Sequence, residues 1–320
     1  MRVVVRCAAM LVCAFWMTAL CAQYPSKPVH MIVPFPAGAV SDNIARILGT
    51  QISTVLGQPV VVENRAGADG ELAAQAVIKS APDGYTLFLA TNGPIILVPL
   101  IRKNPPYDPF TAFTPVSFVG RFTFVLFVHP GLPVKSVREL VEYARANPGK
   151  LNNGTGNMGA VLLSAQLAKL AGIRTLNVPY KGEAPALTDL VSGRLHMMFY
   201  ATVGPALALA KEGRLRPLAT VLVQRSPLAP EVPTMSEAGF PAVTPMGWAA
   251  VYGPANLAAE ATERVSRAVN EGLRRAEVRD ALAQQAFEAS GSSPAELAQM
   301  MRSDLEQTRG WLREAGVEPE

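Results

Sequence analysis

In the stretch Val29-His30-Met31-Ile32-Val33-Pro34-Phe35-Pro36-Ala37-Gly38-Ala39-Val40-Ser41-Asp42, a short apolar run gives way to a Pro/Gly turn and then to a Ser-Asp pair. Beyond the pair, Ile44, Ala45, Ile47, Leu48, Ile52 and Val55 recur at helical spacing through Leu56, and Gly57 stands where a helix-ending glycine belongs. The spacing predicts a strand, a tight loop and a helix. Such a junction aims several backbone N–H groups and the positive end of a helix dipole at one spot, and it can hold a carboxylate without an arginine. The plainer alternative is an ordinary strand-to-helix connection with Ser41 or Asp42 as its N-cap.

The same alternation continues outward. Pro59–Glu63 and Tyr85–Ala90 read as strands, with a helix over Glu71–Lys79 between them and a polar strand-end loop at Thr91-Asn92-Gly93-Pro94. In open α/β sheets ligands sit outside the carboxyl ends of strands, so the Phe35–Asp42 and Thr91–Gly93 ends are expected to face one crevice. Two long strand-like runs, Thr114–Gly120 and Phe122–His129, are separated only by Arg121 and suit a crossing between domains. Ser136-Val137-Arg138-Glu139 has the form of a capping box. A second α/β series follows from Leu151 to Val223. A Pro/Gly-rich stretch then leads to a return strand at Trp248–Gly253, and helices over Ala258–Leu273, Glu277–Ala286 and Pro294–Ala315 form a tail expected to pack on the first domain. The expected organisation is a signal peptide over 1–22, a discontinuous domain 1 over 23–122 and 248–320, and domain 2 over 123–247.

Arg2 and Arg6 precede an apolar stretch from Cys7 to Leu20, with small residues Ala19, Cys21 and Ala22 before a polar start. This is the pattern of a secretory leader, shorter than the about 20 residues of a spanning helix. All three cysteines lie in that segment, so the exported chain is expected to rely on its core rather than on disulfides. The formal charge of +4 drops further when the two leader arginines go, and no Lys/Arg run suggests a nucleic-acid partner.

Gly154-Thr155-Gly156-Asn157-Met158-Gly159 matches the G-x-G-x-x-G pattern between a strand and a helix. The run Thr175–Pro179 offers no carboxylate for a ribose, so a dinucleotide is not expected. A small-anion clamp is the better reading of these glycines, and a tight turn with Asn157 as cap is the alternative. Lys181, after the strand ending in Pro179-Tyr180, and Tyr200, after Phe199, stand at further strand ends. His30, His129 and His196 are scattered, and neither H-E-x-x-H nor G-x-S-x-G occurs. No catalytic residue, metal ligand or cofactor is expected.

Taken together, Tyr24-Pro25-Ser26-Lys27-Pro28, Val33–Gly38, Gly57–Ala68, Ala81–Leu87, Asn147–Asn152, Val178–Gly182 and Pro230–Gly239 carry a whole-chain resemblance in order and spacing. The sequence closely resembles the substrate-binding receptors of tripartite tricarboxylate transporters, the Bug receptors. The resemblance implies a periplasmic binding-protein-like fold: two α/β domains joined by crossing strands, closing like a clamshell on a ligand in the cleft between them. It implies a receptor rather than an enzyme. That receptor is expected to act as a monomer and to pass a small organic carboxylate to membrane transporter subunits. A ligand-binding partner of a sensor kinase in organic-acid signalling would use the same pocket. A periplasmic hydrolase would need a nucleophile or metal that the residues do not present. Carried over by motif, the first wall comprises Phe35, Pro36, Ala37, Gly38, Ala39, Ser41, Asp42, Thr91 and Asn92, and the second Thr155, Gly156, Asn157, Lys181, Tyr200 and Thr202. The sequence also departs from the family pattern. Ala39 replaces a second glycine, Leu162-Leu163 stands where a His is usual, and Tyr200 stands where many relatives have Asp. Without that Asp a ligand ammonium would lack a partner, so a non-amino acid is expected, with aromatic acids among the candidates.

Overall fold

The run Val29–Val33 is strand β1, and every side chain in it except His30 is fully enclosed. A strand buried on both faces belongs inside a sheet that helices cover on both sides. The computed structural model describes residues 24–319 except 202, 223, 227, 244–246, 315 and 316. The leader expected over 1–22 therefore lies outside the described residues.

After β1 come α1 (Val40–Leu56), β2 (Val60–Asn64), α2 (Glu71–Ile78), β3 (Thr86–Thr91), β4 (Phe113–Phe122), β5 (Val125–Val128), α3 (Val137–Ala146), β6 (Asn152–Thr155), α4 (Met158–Ala171), β7 (Leu176–Pro179), α5 (Glu183–Val191), β8 (Met197–Tyr200), α6 (Val203–Lys211), β9 (Arg216–Thr220), β10 (Trp248–Pro254), α7 (Ala259–Arg274), α8 (Ala276–Gln284), β11 (Phe287–Ala289) and α9 (Pro294–Glu314). The strands form two sheets, one of six in the order β11-β4-β10-β3-β1-β2 and one of five in the order β7-β6-β8-β5-β9. In the first sheet β1 runs parallel to β2 and β3, and β10 antiparallel to β3 and β4. In the second, β6 runs parallel to β7 and β8, and β5 antiparallel to β8 and β9. The chain leaves the first sheet after Phe122 and rejoins it at Trp248.

Period-2 alternation assigns each strand's side chains to two cores. Met31, Val33, Leu87, Leu89 and Val251 pack with α1 and α7, while Ile32, Phe88, Trp248 and Tyr252 pack with α2 and α9. In the second lobe Leu126, Val128 and Phe199 face α3 and α4, while Val125, Phe127 and Tyr200 face α5 and α6. Local signals were obeyed at several helix ends. Gly57 ends α1 at φ 71° with its N–H on Ser53 O, and the Ser136 hydroxyl accepts the Glu139 N–H at 3.2 Å. Glu139 returns its carboxylate to the Lys135 N–H, one residue before the box position.

Three local expectations need correction. The strand-end loop at Thr91–Pro94 is absent, because a helical segment with π-type turns over Gly93–Leu97 follows β3 at once. The loop expected over Gly154–Gly159 shrinks to Gly156-Asn157, because Gly154 and Thr155 complete β6 and Met158 opens α4. Strand β11 fills the gap between the second and third helices of the tail and pairs antiparallel with β4. Finally, α9 spans both lobes: Leu297, Met301 and Leu305 join the first lobe's core, and Leu312 joins the second's. No helix among the described residues is long and apolar enough to cross a membrane.

Candidate ligand site

The carboxyl ends of β1 and β3 lie side by side at the edge of the six-stranded sheet that leads to the second lobe. Phe35 leaves β1 half-buried, and Pro36, Ala37 and Gly38 form an exposed turn. The Ala39 N–H closes that turn on Pro36 O at 3.2 Å. Gly38 adopts φ 83°, which is why a glycine stands there. Ala39 is the N-cap of α1 and offers no side-chain acceptor. Neither Ser41 nor Asp42 is the cap; both sit inside the first turn. The N–H groups of Val40, Ser41 and Asp42 therefore have neither an intrahelical partner nor a capping side chain. Ser41 is only 4% exposed and its hydroxyl has no hydrogen-bond partner among the described residues.

Asp42, 2% exposed, is committed within the protein. It accepts from Gly38 N–H at 2.9 Å, Asn64 Nδ2 at 2.9 Å and Arg46 Nε at 3.1 Å. Asn64 Nδ2 also donates to Phe35 O at 3.0 Å. Asp42 and Asn64 thus tie the loop to α1 and β2. Burial pushes the Asp42 carboxyl up, but the hydrogen bonds from Arg46, Gly38 and Asn64 and the Arg46 charge outweigh it, leaving the carboxyl below its usual range. Thr91 is buried at the end of β3, and Asn92 opens the helical segment beside it.

In the second lobe Thr155 is buried, and its hydroxyl donates to Asn177 Oδ1 at 3.0 Å. Asn157 caps α4, accepting the Ala160 N–H at 2.8 Å. Its amide donates to Glu183 Oε1 at 2.8 Å, and the same oxygen accepts the Ala201 N–H at 2.9 Å. The small-anion clamp expected at these glycines is therefore filled from within, by an asparagine cap and a carboxylate. A Cβ on Gly156 would lie 2.6 Å from Gly182 C and O and 2.7 Å from Glu183 Cα, so this glycine serves backbone contact with the β7–α5 turn. Lys181 is exposed on that turn, Phe199 is core, and Thr202 lies outside the described residues. Tyr200 is enclosed at the end of β8. Burial first, and then the Glu183 charge, push its hydroxyl up to about 12.

Sequence reasoning missed Glu183. Nothing in the local sequence singles it out, since it opens α5 as a first-turn acid. Its position between the ends of β6 and β8 is a product of the fold. The arrangement is chemically asymmetric: uncharged N–H and O–H donors in the first lobe, a carboxylate in the second.

The family model described as tripartite tricarboxylate transporter family receptor matches residues 44–317. BugT of Bordetella pertussis is 34% identical over 297 residues, 92% of this chain and 91% of that one. The solved structure of R. palustris Rpa4515 with adipate has a TM-score of 0.78 at 32% identity, covering 93% of this chain and 100% of that one. MatC from Rhodopseudomonas palustris with bound malate has a TM-score of 0.70 at 27% identity, covering 91% of this chain and 100% of that one. With a family model matched along most of its length and the two-lobed α/β fold shared, the chain belongs to the tripartite tricarboxylate transporter receptor family.

Proposed function

We propose that this chain is a periplasmic receptor that captures a small carboxylic acid between its lobes and presents it to a membrane transporter of the tripartite tricarboxylate type. The uncapped N-terminus of α1, with the enclosed and unpartnered Ser41 hydroxyl, carries this reading. A ligand carboxylate there would accept hydrogen bonds from the first-turn amides and from Ser41, and such charge-assisted bonds are among the strong ones. Adipate and malate, the acids bound by two relatives, support the ligand class. The leader over 1–22 supports export. Taking the domain boundaries at 122/123 and 247/248, the lobes close about the crossing segments, expel water and strengthen those bonds. Phe35–Ala39, Ser41, Thr91 and Asn92 form one wall, and Thr155–Asn157, Lys181, Tyr200 and Thr202 the other. Asp42 acts behind the first wall by holding its loop.

Calorimetric titration with a panel of mono- and dicarboxylic acids and amino acids tests this. At least one acid is expected to bind, and Ser41→Ala should weaken it about tenfold, the equivalent of about 1.4 kcal/mol for one bond to a charged group. A panel without binding would overturn the receptor reading. Unchanged affinity in Ser41→Ala would move the anion site away from α1.

The expectation of a non-amino ligand rested on Tyr200 standing in place of an Asp. Glu183 accepts the Ala201 N–H at that same strand end and is itself engaged there by the Asn157 amide.

A further inference from the structure

The first turn of α1 is tied to the crossing between the lobes by residues outside both ligand walls. Asn43 follows Asp42 in that turn, and its Nδ2 donates to Gln285 Oε1 at 2.8 Å across 242 positions of chain. Gln285 ends α8, and Ala286 after it stands at φ 55°. A left-handed backbone disfavours any residue with a Cβ, so it persists only where the surrounding contacts impose it. Here those contacts come from the other lobe. Ala286 is enclosed in the core that holds Val125, Phe127 and Tyr200, and its carbonyl accepts the Thr123 N–H at 2.8 Å. Thr123 is the first residue past β4, where the chain passes into the second lobe. The Gln285-Ala286 turn therefore belongs to the first lobe by its place between α8 and β11 and to the second by its packing. It is hydrogen-bonded to the tip of α1 on one side and to the crossing segment on the other. Beside it lies a hollow of about 430 Å³, lined by Thr123, Leu222 and Ser226 from one lobe and by Ala283, Phe287 and Glu288 from the other, which leaves the turn room to shift.

We propose that Asn43 and Gln285 are positioning residues that couple anion binding at α1 to closure of the lobes. This rests on the receptor reading above, with the ligand carboxylate on α1. Rotation of the second lobe about its crossing segment carries Ala286 with it, and the Gln285–Asn43 bond passes that movement to the first turn of α1. The open and closed arrangements then present the α1 amides and the Ser41 hydroxyl differently, and an acid that binds the closed arrangement better is held longer while the link is intact. Neither Asn43 nor Gln285 meets the acid itself.

The test titrates the full exported chain with succinate, malate, adipate, glutamate and benzoate, and carries the best-bound of them to Asn43→Ala, Gln285→Ala and the double variant. Each single variant should bind it about fivefold more weakly, chiefly through faster release in stopped-flow fluorescence, and the double variant no more weakly than either single one, because both remove the same link. A hydrogen bond that serves stability alone would lower the melting temperature and leave affinity and release rate as they are. That result overturns the proposal while the receptor reading stands, and so do losses that multiply in the double variant. If Gln285→Ala does not fold, Gln285→Met, which keeps the length of the side chain without its acceptor, takes its place in the same comparison. No binding by any of these acids overturns the receptor reading and this inference with it.

Discussion

Two aspartates have carboxyls shifted in opposite directions. Asp42 is stabilised as an anion by Gly38, Asn64 and Arg46, and its carboxyl lies below the usual range. A folded pKa below the unfolded one contributes stability that is present above the ordinary carboxylate range of about 4 and lost as pH falls through the folded value. Asp42→Asn should lower stability by about 1–3 kcal/mol at neutral pH. In urea titrations the deficit should shrink as the pH is taken below about 4. Asp304 accepts from Trp248 Nε1 at 2.6 Å, yet burial pushes its carboxyl above the usual range despite that bond and the Arg121 charge. Here the folded value exceeds the unfolded one, so stability is greatest below about 4 and declines as pH rises through the folded value. Asp304→Asn keeps an acceptor for the indole and should raise the melting temperature at pH 7, with the gain disappearing in acid. Neither sign can be read from the letter Asp, because each depends on which groups the fold brings within reach.

At the scale of elements, the glycines of β6 and α4 show how a motif can be legible and still be misread. The G-x-G-x-x-G spacing correctly marked a strand-to-helix junction. What the glycines make room for is protein: Gly154 faces the Leu195 side chain, Gly159 the Phe124 ring and Gly156 the Gly182–Glu183 backbone. Gly156→Ala must displace that backbone. It should cost about 1–3 kcal/mol as an overpacked contact, read by thermal or urea unfolding. Gly38→Ala meets open space, so its penalty comes only from φ 83° and should be about 1–2 kcal/mol. Helix starts and stops followed local chemistry at Gly57, Ser136 and Asn157. The helical continuation of β3 and the three-residue β11 carried no local signal, since each is held by tertiary contacts.

At the scale of the whole molecule, the segments after Phe122 and before Trp248 join the two sheets, and α9 adds a third link. Its 21 residues span about 30 Å, enough to anchor in both cores. Leu312→Ala removes the far anchor and should lower stability by about 2–4 kcal/mol, measured by chemical denaturation. If the lobes close on a ligand as proposed, solution scattering should show a smaller radius of gyration at saturating ligand, and Ser41→Ala should need more ligand to reach it.

The sequence by itself determined the α/β alternation, the crossing strands, the helix stops and the strand–loop–helix junction of the first lobe, because hydrophobic period, caps and turn residues act over a few neighbours. The family was legible for a related reason: its motifs are turns and strand ends whose backbone demands are local. Only the tertiary structure decided that Asp42 ties its loop to β2 through Asn64, and that Glu183 Oε1 joins the Asn157 amide to the Ala201 N–H. Those contacts join residues 22, 26 and 18 positions apart and depend on which loop meets which strand end. The span of α9 across both lobes was decided in the same way, because an amphipathic helix declares that it has an apolar face but not which core will receive it.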